Sequence, residues 1–298
     1  MLGEWILSIE GTPAAATWAM TLALIAAVAH ATLGALQKGR HDPWLSRGAV
    51  DVCISIMALP MALFLVPWPS FDLWVLLPGA LIVHVAFKWT IAMAYSRGAF
   101  TAVYPVVRGT GPLVTVGFAW IVFGETFNVG QWAGIALLSG AIFGLAAINL
   151  SAAKVDRQVA MAATGLAVLT GIITALYTVY DAYAIRTARD PFTFLAWFFT
   201  LEILGFPLLI WRRWPDARPI LGPLFRRGVA GAIAAFISFG AIFLATRLDK
   251  VGEAAALRET SVIFAALIGW LALGERIGWL RSACMVVIAA GAILVEFG

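Results

Sequence analysis

Charge is scarce in this chain. Only 12% of its 298 residues are charged, about half the share found in a soluble domain, and no stretch is polar enough to form such a domain. The longest connection between apolar runs, 212–227, reads as a short basic loop. Histidine is limited to three, far apart and without an H-x-x-x-H pair, and no G-x-S-x-G occurs. Intramembrane hydrolysis or transfer needs such groupings, or a paired-carboxylate metal site. Enzymatic chemistry is therefore not expected, nor a metal or a cofactor. The two cysteines, Cys53 and Cys284, fall inside apolar runs, where a lone thiol acts as a small apolar residue and says nothing of redox compartment. No basic residue precedes the first apolar run and no small-residue cleavage site follows it, so it reads as a retained helix rather than a removable signal.

Apolar sequence is what the chain has in abundance: 62% of residues are hydrophobic. Runs of about 20 residues, long enough to cross a bilayer as helix, recur at 14–36, 47–66, 72–93, 100–123, 129–149, 159–182, 192–211, 228–246, 252–273 and 278–296. The expectation is an all-α integral membrane protein of ten spans. Lys38, Arg40, Arg47, Arg97, Lys154, Arg157, the five arginines between 212 and 227, and Arg276 follow odd-numbered spans. The other side holds only Arg186, Arg189, Arg247 and Lys250. Because basic loops stay cytoplasmic, both termini are expected in the periplasm. The net charge of +4 is then a topology signal and no footprint of nucleic acid. The expected partners are the lipid bilayer and a small solute, and a monomer is expected to suffice.

Arg97 to Glu125 is echoed by Arg247 to Glu275 without a gap, 150 residues on. Arg97 matches Arg247, Arg108 matches Arg258 and Thr110 matches Thr260, while Trp120-Ile-Val-Phe-Gly-Glu125 matches Trp270-Leu-Ala-Leu-Gly-Glu275. Apolar residues coincide by chance in such a composition; intramembrane arginines do not. Two halves, 1–153 and 154–298, follow. Five spans per half is odd, so the second copy inserts upside down, and two inverted copies build a site between them near the midplane. Arg108 lies about 16 Å along a helix from Arg97, near mid-bilayer, and Arg258 takes the mirrored depth. Both are expected to face a central cavity.

The intramembrane polar residues read as Asp51, His84, Lys88, Arg108, Glu202, Arg258 and Glu259. Arginine keeps its proton, so Arg108 and Arg258 need water, a carboxylate or an anionic solute. Two readings stand: cationic anchors for a carboxylate-bearing solute, or permanent ion pairs with Glu259, Glu202 or Asp51. Pro105, Gly109, Gly111 and Pro112 point to a broken fourth span around Arg108, lining the cavity or merely kinked for packing. His84, Lys88 and Tyr95 share a face of the third span, toward the cavity or, for His84, toward a neighbouring helix. His30 is matched by Tyr180, with Tyr177 one turn before it, and Tyr104 lies one turn before Arg108. The candidate solute site is thus Arg108, Arg258, Glu259, His84, Lys88, Tyr104, Tyr177 and Tyr180.

Most of the Trp residues lie near span ends, where aromatic belts form. Trp18, Trp89, Trp120, Trp197 and Trp270 are expected in core packing. Gly130 with Gly134 and Gly140 with Gly144 form small-xxx-small pairs suited to close helix contact. Glu125 and Glu275, just past the fourth and ninth spans, read as turn or capping residues.

The repeated Trp-x-x-x-Gly-Glu followed by a Gly-rich helix, at Trp120–Glu125 with Gly130–Gly144 and at Trp270–Glu275 with Gly278–Gly291, closely resembles the two EamA-type repeats of the drug/metabolite transporter superfamily. The resemblance spans the chain. It implies an exporter of amino acids, other small metabolites or drugs in a bacterial plasma membrane, and the look is that of exporters of amino acids, including aromatic ones, and of methyl viologen. Family repeats often place Glu-Pro in the fourth and ninth spans. Here Gly111-Pro112 and Ser261-Val262 stand there, so the family carboxylate is not carried over. The expected activity is alternating-access export of amino acids or similar metabolites, with an organic-cation exporter as the alternative and an intramembrane enzyme as a distant one.

Overall fold

A computed structural model describes residues 2–37, 42–97, 100–152, 157–273 and 278–298. Lys38, Arg40, Lys154, Glu275 and Arg276, and with Lys154 the boundary expected between the halves, lie outside the described residues. Among the described residues the secondary structure is helical, with no strand. Ten helical segments are long and apolar enough to cross a membrane, and their order follows the expected runs. A short helix, α1 (Leu2–Ile9), precedes them, with Ile6 buried.

The first six spans are α2 (Pro13–Gln37), α3 (Pro43–Phe64), α4 (Phe71–Arg97), α5 (Phe100–Phe123), α6 (Val129–Ala152) and α7 (Arg157–Thr187). The seventh is split into α8 (Pro191–Leu201) and α9 (Phe206–Leu209) by a 3₁₀ turn at Glu202–Leu204. The eighth is α10 (Leu221–Leu248), the ninth is split into α11 (Val251–Arg258) and α12 (Ser261–Leu273), and the tenth is α13 (Trp279–Phe297). The stretch 212–227, expected as a loop, is a 3₁₀ run over Trp211–Ile220 leading straight into α10.

Local chemistry sets several boundaries. Asp42 begins α3 by accepting from the amides of Trp44 and Leu45 at 2.8 and 3.1 Å, with Pro43 in the first turn. Asp190 begins α8 in the same way, accepting from Phe192 N at 2.9 Å, with Pro191 in the first turn. A side-chain acceptor before a proline that needs no amide partner is a strong helix start, and here it serves the second and the seventh span alike.

The broken fourth span is a correction. α5 runs unbroken from Phe100 to Phe123 through Pro105 and Pro112. Each proline deletes one ladder bond, and a membrane helix survives that where its neighbours keep theirs and hydroxyls serve freed carbonyls. The Thr110 hydroxyl reinforces the ladder between the two prolines, donating to Val106 O at 2.8 Å, a carbonyl that neither proline frees. The break falls instead in the ninth span, which has no proline. There the amides of Glu259, Thr260 and Val262 bond three residues back, at 3.0–3.1 Å, and the Thr260 hydroxyl takes the Leu257 carbonyl at 2.7 Å. Three-residue bonds tighten the backbone, and a side-chain donor competing for a carbonyl ends the regular ladder.

Packing between helices keeps its pattern when the two halves are exchanged. The first span, α2, lies against α10 and the split ninth span, as α7 lies against α4 and α5. α3 meets α8, and α6 meets α13. The α6–α13 seam is backbone-close: a Cβ on Gly134 would sit 2.7 Å from Val295 N, and one on Gly291 2.7 Å from Leu138 N. Gly130 joins this seam through Gly298, whereas among the described residues a Cβ on Gly140 would meet nothing within 4 Å and one on Gly144 would meet Cys284 Sγ of α13 at 3.9 Å, so the second small-residue pair does not bring backbones into contact. Of the five Trp residues expected in the core, only Trp197 is buried. Trp120 and Trp270 are 64% and 53% exposed, and Trp18 and Trp89 also face outward.

Candidate functional site

A cavity of about 260 Å³ lies among α2, α3, α4, α5, α7 and α10. Its deep end is formed by Arg108, Tyr177 and Phe239, and it extends to Gly34 and Pro43 at the α2–α3 junction and to Tyr95 near the end of α4. Among the expected site residues, Arg108, Lys88, Tyr104 and Tyr177 lie on its wall, as do His30 and Tyr95.

Arg108 and Arg258 meet over one carboxylate. Arg108 NH1 donates to both oxygens of Glu259 at 3.2 Å. Arg258 NH2 stands 3.7 Å from Glu259 Oε1 and 3.5 Å from the Thr178 hydroxyl. The break after Arg258 turns Glu259 between the two guanidiniums. Arg258 Nε is buried without a hydrogen-bond partner. The Arg108 guanidinium also lies over the Tyr104 ring at 5.1 Å, where the ring face attracts a cation. Two cations and one anion leave the group with a formal charge of +1. Pro112 cannot supply the helical N–H for the Arg108 carbonyl.

Lys88 belongs to a second cluster. Its ammonium donates to Asp51 Oδ2 at 2.8 Å and to Glu202, and Arg47 Nε lies 3.3 Å from Asp51 Oδ1. Two cations face two carboxylates, so this cluster is neutral. Glu202 reaches it because the seventh span turns there into its 3₁₀ segment. Arg47, read from the sequence as a loop charge, is one turn inside α3 and lines the cavity. Its place four residues before Asp51 on one helix face was the available signal.

His84 is not on the cavity wall. Its Nε2 lies 2.7 Å from Asp181 Oδ2, and its ring is covered by Tyr177 and Phe198 at centroid distances of 4.5 and 4.7 Å. Asp181 is missing from the intramembrane polar residues read from the sequence, although it sits one turn past Tyr177. Tyr180 also lies away from the cavity: its hydroxyl donates to Leu76 O at 3.0 Å, against Gly79 of α4.

The end of the bundle opposite the α2–α3 junction is tied shut. Glu125 accepts from Val251 N at 2.8 Å and Gly252 N at 3.1 Å, capping α11 as a carboxylate at a helix N-terminus does. Arg186 donates to the carbonyls of Thr246 and Asp249 at 2.9 and 2.8 Å. Arg247 donates to the carbonyls of Ile185 and Ala188, the latter at 2.8 Å, and meets Glu10 at 3.3 Å. Its counterpart in the echo, Arg97, is exposed at the other end and reaches back to Met93 O of its own helix at 3.4 Å.

A solved crystal structure that is 17% identical superposes with a TM-score of 0.75, covering 93% of this chain and 96% of its own. At that identity the likeness concerns the fold. No curated protein matches the sequence. Residues 161–297, the second half of this chain of ten candidate membrane spans, match the EamA-like transporter family.

Proposed function

We propose that the protein is an alternating-access carrier that exports amino acids or similar small carboxylate-bearing metabolites across a bacterial plasma membrane. One observation carries this reading. Repeat-matched arginines, Arg108 and Arg258, share the single carboxylate Glu259; Arg108 lines the cavity of about 260 Å³, while Arg258 and Glu259 lie buried behind it rather than on its wall. A solute carboxylate would supply the second negative charge, and the cavity has room for the rest of an amino acid. Arg108, Arg258 and Glu259 form the binding core, with Lys88, Tyr104 and Tyr177 on the wall.

Two inverted five-helix halves, 1–153 and 154–298, fit the 150-residue echo, the packing that survives exchange of halves and the Asp-Pro starts of the second and seventh spans. With both termini periplasmic, the cavity reaches toward the cytoplasm and the tied end faces out, so the conformation is inward-open. Arg97 and Arg247 then occupy equivalent places in opposite states of closure. Closing the cytoplasmic end would let Arg97 take carbonyls at the end of α2, near Ala35, as Arg247 takes those of Ile185 and Ala188. The aromatic wall, with Phe87, Tyr177 and Phe239, favours an organic-cation exporter as a second reading. Against it, Asp51 and Glu202 are already bonded to Lys88 and Glu259 to Arg108.

The test is counterflow of labelled amino acids in proteoliposomes, with Arg108→Ala and Arg258→Ala alongside the wild type. Loss of uptake in both variants is the expected result. Normal uptake in both would make the arginines structural and remove the site. Labelling of a cysteine at position 2 or 297 from outside the cell reads the topology.

A further inference from the structure

The proposed solute site leaves one buried titratable pair unused. His84 and Asp181 are almost wholly buried and lie 2.7 Å apart, joined through one oxygen of Asp181. The other oxygen, Oδ1, is buried with no hydrogen-bond partner. An unpaired carboxylate oxygen inside a membrane protein is costly, and taking up a proton is the simplest way to lower that cost.

Two routes connect the pair to its surroundings. On one side of His84 is a void of about 10 Å³ lined by Arg47, Asp51 and Glu202 as well as His84. That is about the room of one water with polar partners on several sides, and Arg47 and Lys88 of the same cluster line the cavity. On the other side, Thr178, one turn before Asp181, bonds Arg258 at 3.5 Å. The charged and titratable groups around the pair are thus Lys88 on α4, Tyr177 and Tyr180 on α7, Arg47 and Asp51 on α3, Glu202 after α8 and Arg258 on α11. His30 of α2 lies behind Phe239, its ring centroid 6.3 Å from that ring, and α10 presents the Phe239 ring to His84.

We propose that His84 and Asp181 form a proton-binding site linked to the solute site through Arg258. The idea rests on the carrier reading above. Without the proton the pair carries −1 and offsets the +1 of Arg108, Glu259 and Arg258. With it the pair is neutral, and the arginines present their full charge to an anionic carboxylate. One proton, taken from cavity water, forms an O–H or N–H bond within the pair; nothing is oxidised. Proton and carboxylate therefore bind together, each strengthening the other, and a solute leaving down its own gradient carries a proton with it.

Two measurements on the purified full chain test this. The first is infrared difference titration without solute. A buried carboxylic acid band should grow as pH falls and be missing in Asp181→Asn, which keeps an amide able to bond His84. No such band, or one that persists in the variant, overturns the site. The second is binding of L-leucine and L-tryptophan across pH. Wild-type affinity should rise severalfold as pH falls, and the rise should flatten in Asp181→Asn and in His84→Gln. An unchanged pH dependence in both variants, or an affinity that falls with falling pH, overturns the linkage. If neither amino acid binds or exchanges while the infrared band behaves as expected, the carrier reading fails for these solutes and the proton site stands.

Discussion

Arg247→Ala should push the protein toward an outward-open state, and Arg97→Ala should do the opposite. In the conformation described, Arg247 donates to the carbonyls of Ile185 and Ala188 and reaches Glu10, all at the tied end. Hydrogen bonds to a charged group contribute about 1.5–3 kcal/mol each. Part of that returns when the freed carbonyls meet water, so a net loss of about 2 kcal/mol is a fair figure. The loss falls on one state only, so it moves the balance between states by roughly 30-fold. Arg97, exposed and bonded only weakly to Met93 O here, loses little from this state when removed but loses its carbonyl partners in the other. The assay is the rate of modification of Thr174→Cys, on the cavity wall, by a membrane-impermeant thiol reagent added on the side of the termini. The background carries Cys53→Ala and Cys284→Ala. Arg247→Ala should speed labelling by an order of magnitude and Arg97→Ala should slow it. Equal shifts in one direction, or none, would refute the idea that the two arginines serve opposite closures.

Glu259→Gln should destabilise the fold more than Arg108→Gln. The first strands two buried guanidiniums, at a cost of about 3–5 kcal/mol, while the second leaves Glu259 with Arg258 at 3.7 Å; thermal unfolding in detergent that ranks them the other way would contradict the shared-carboxylate geometry. Gly291→Val should greatly reduce the yield of monodisperse protein, because its Cβ would lie 2.7 Å from Leu138 N and 2.9 Å from Gly134 O and overpacking costs about 1–3 kcal/mol even where side chains yield. A wild-type elution profile would count against the seam. Tyr180→Phe should cost about 1 kcal/mol through the lost bond to Leu76 O and leave counterflow unchanged; loss of transport at wild-type stability would return Tyr180 to the site.

The ten spans were legible because lipid demands length and apolarity, and both are written into composition. The seventh span, expected from residue 192 on apolar length alone, begins at Pro191, and the repetition of Arg108 as Arg258 was legible from the echo. The breaks were not. Prolines in α5 drew attention, yet neighbouring bonds absorb them, while the ninth span breaks at a threonine whose hydroxyl bonds Leu257 O. The ion-pair map was legible only in part: Glu259 was among the expected partners of the two arginines and does meet them, but so were Glu202 and Asp51, which do not. That Lys88 takes Asp51 and Glu202, leaving Glu259 to the arginines, depends on which helices pack together. Asp181 sat unnoticed in a run of Tyr and Thr, and only α4 opposite it shows why it is there. The outward Trp120 and Trp270 follow the rule that lipid contacts apolar surface as readily as a core does, so burial cannot be read from hydrophobicity in a membrane helix.

The seam between α6 and α13 has a mechanical consequence. With Gly134 and Gly291 in backbone contact and Asn128 Nδ2 bonded to Gly298 O at 2.7 Å, those two helices cannot slide past each other without opening a gap that no side chain is there to fill. In the carrier proposed above they would form a fulcrum, and the other helices would act as lever arms whose travel grows with distance from it, so that a small rotation at the glycines would become a large displacement at the cavity mouth.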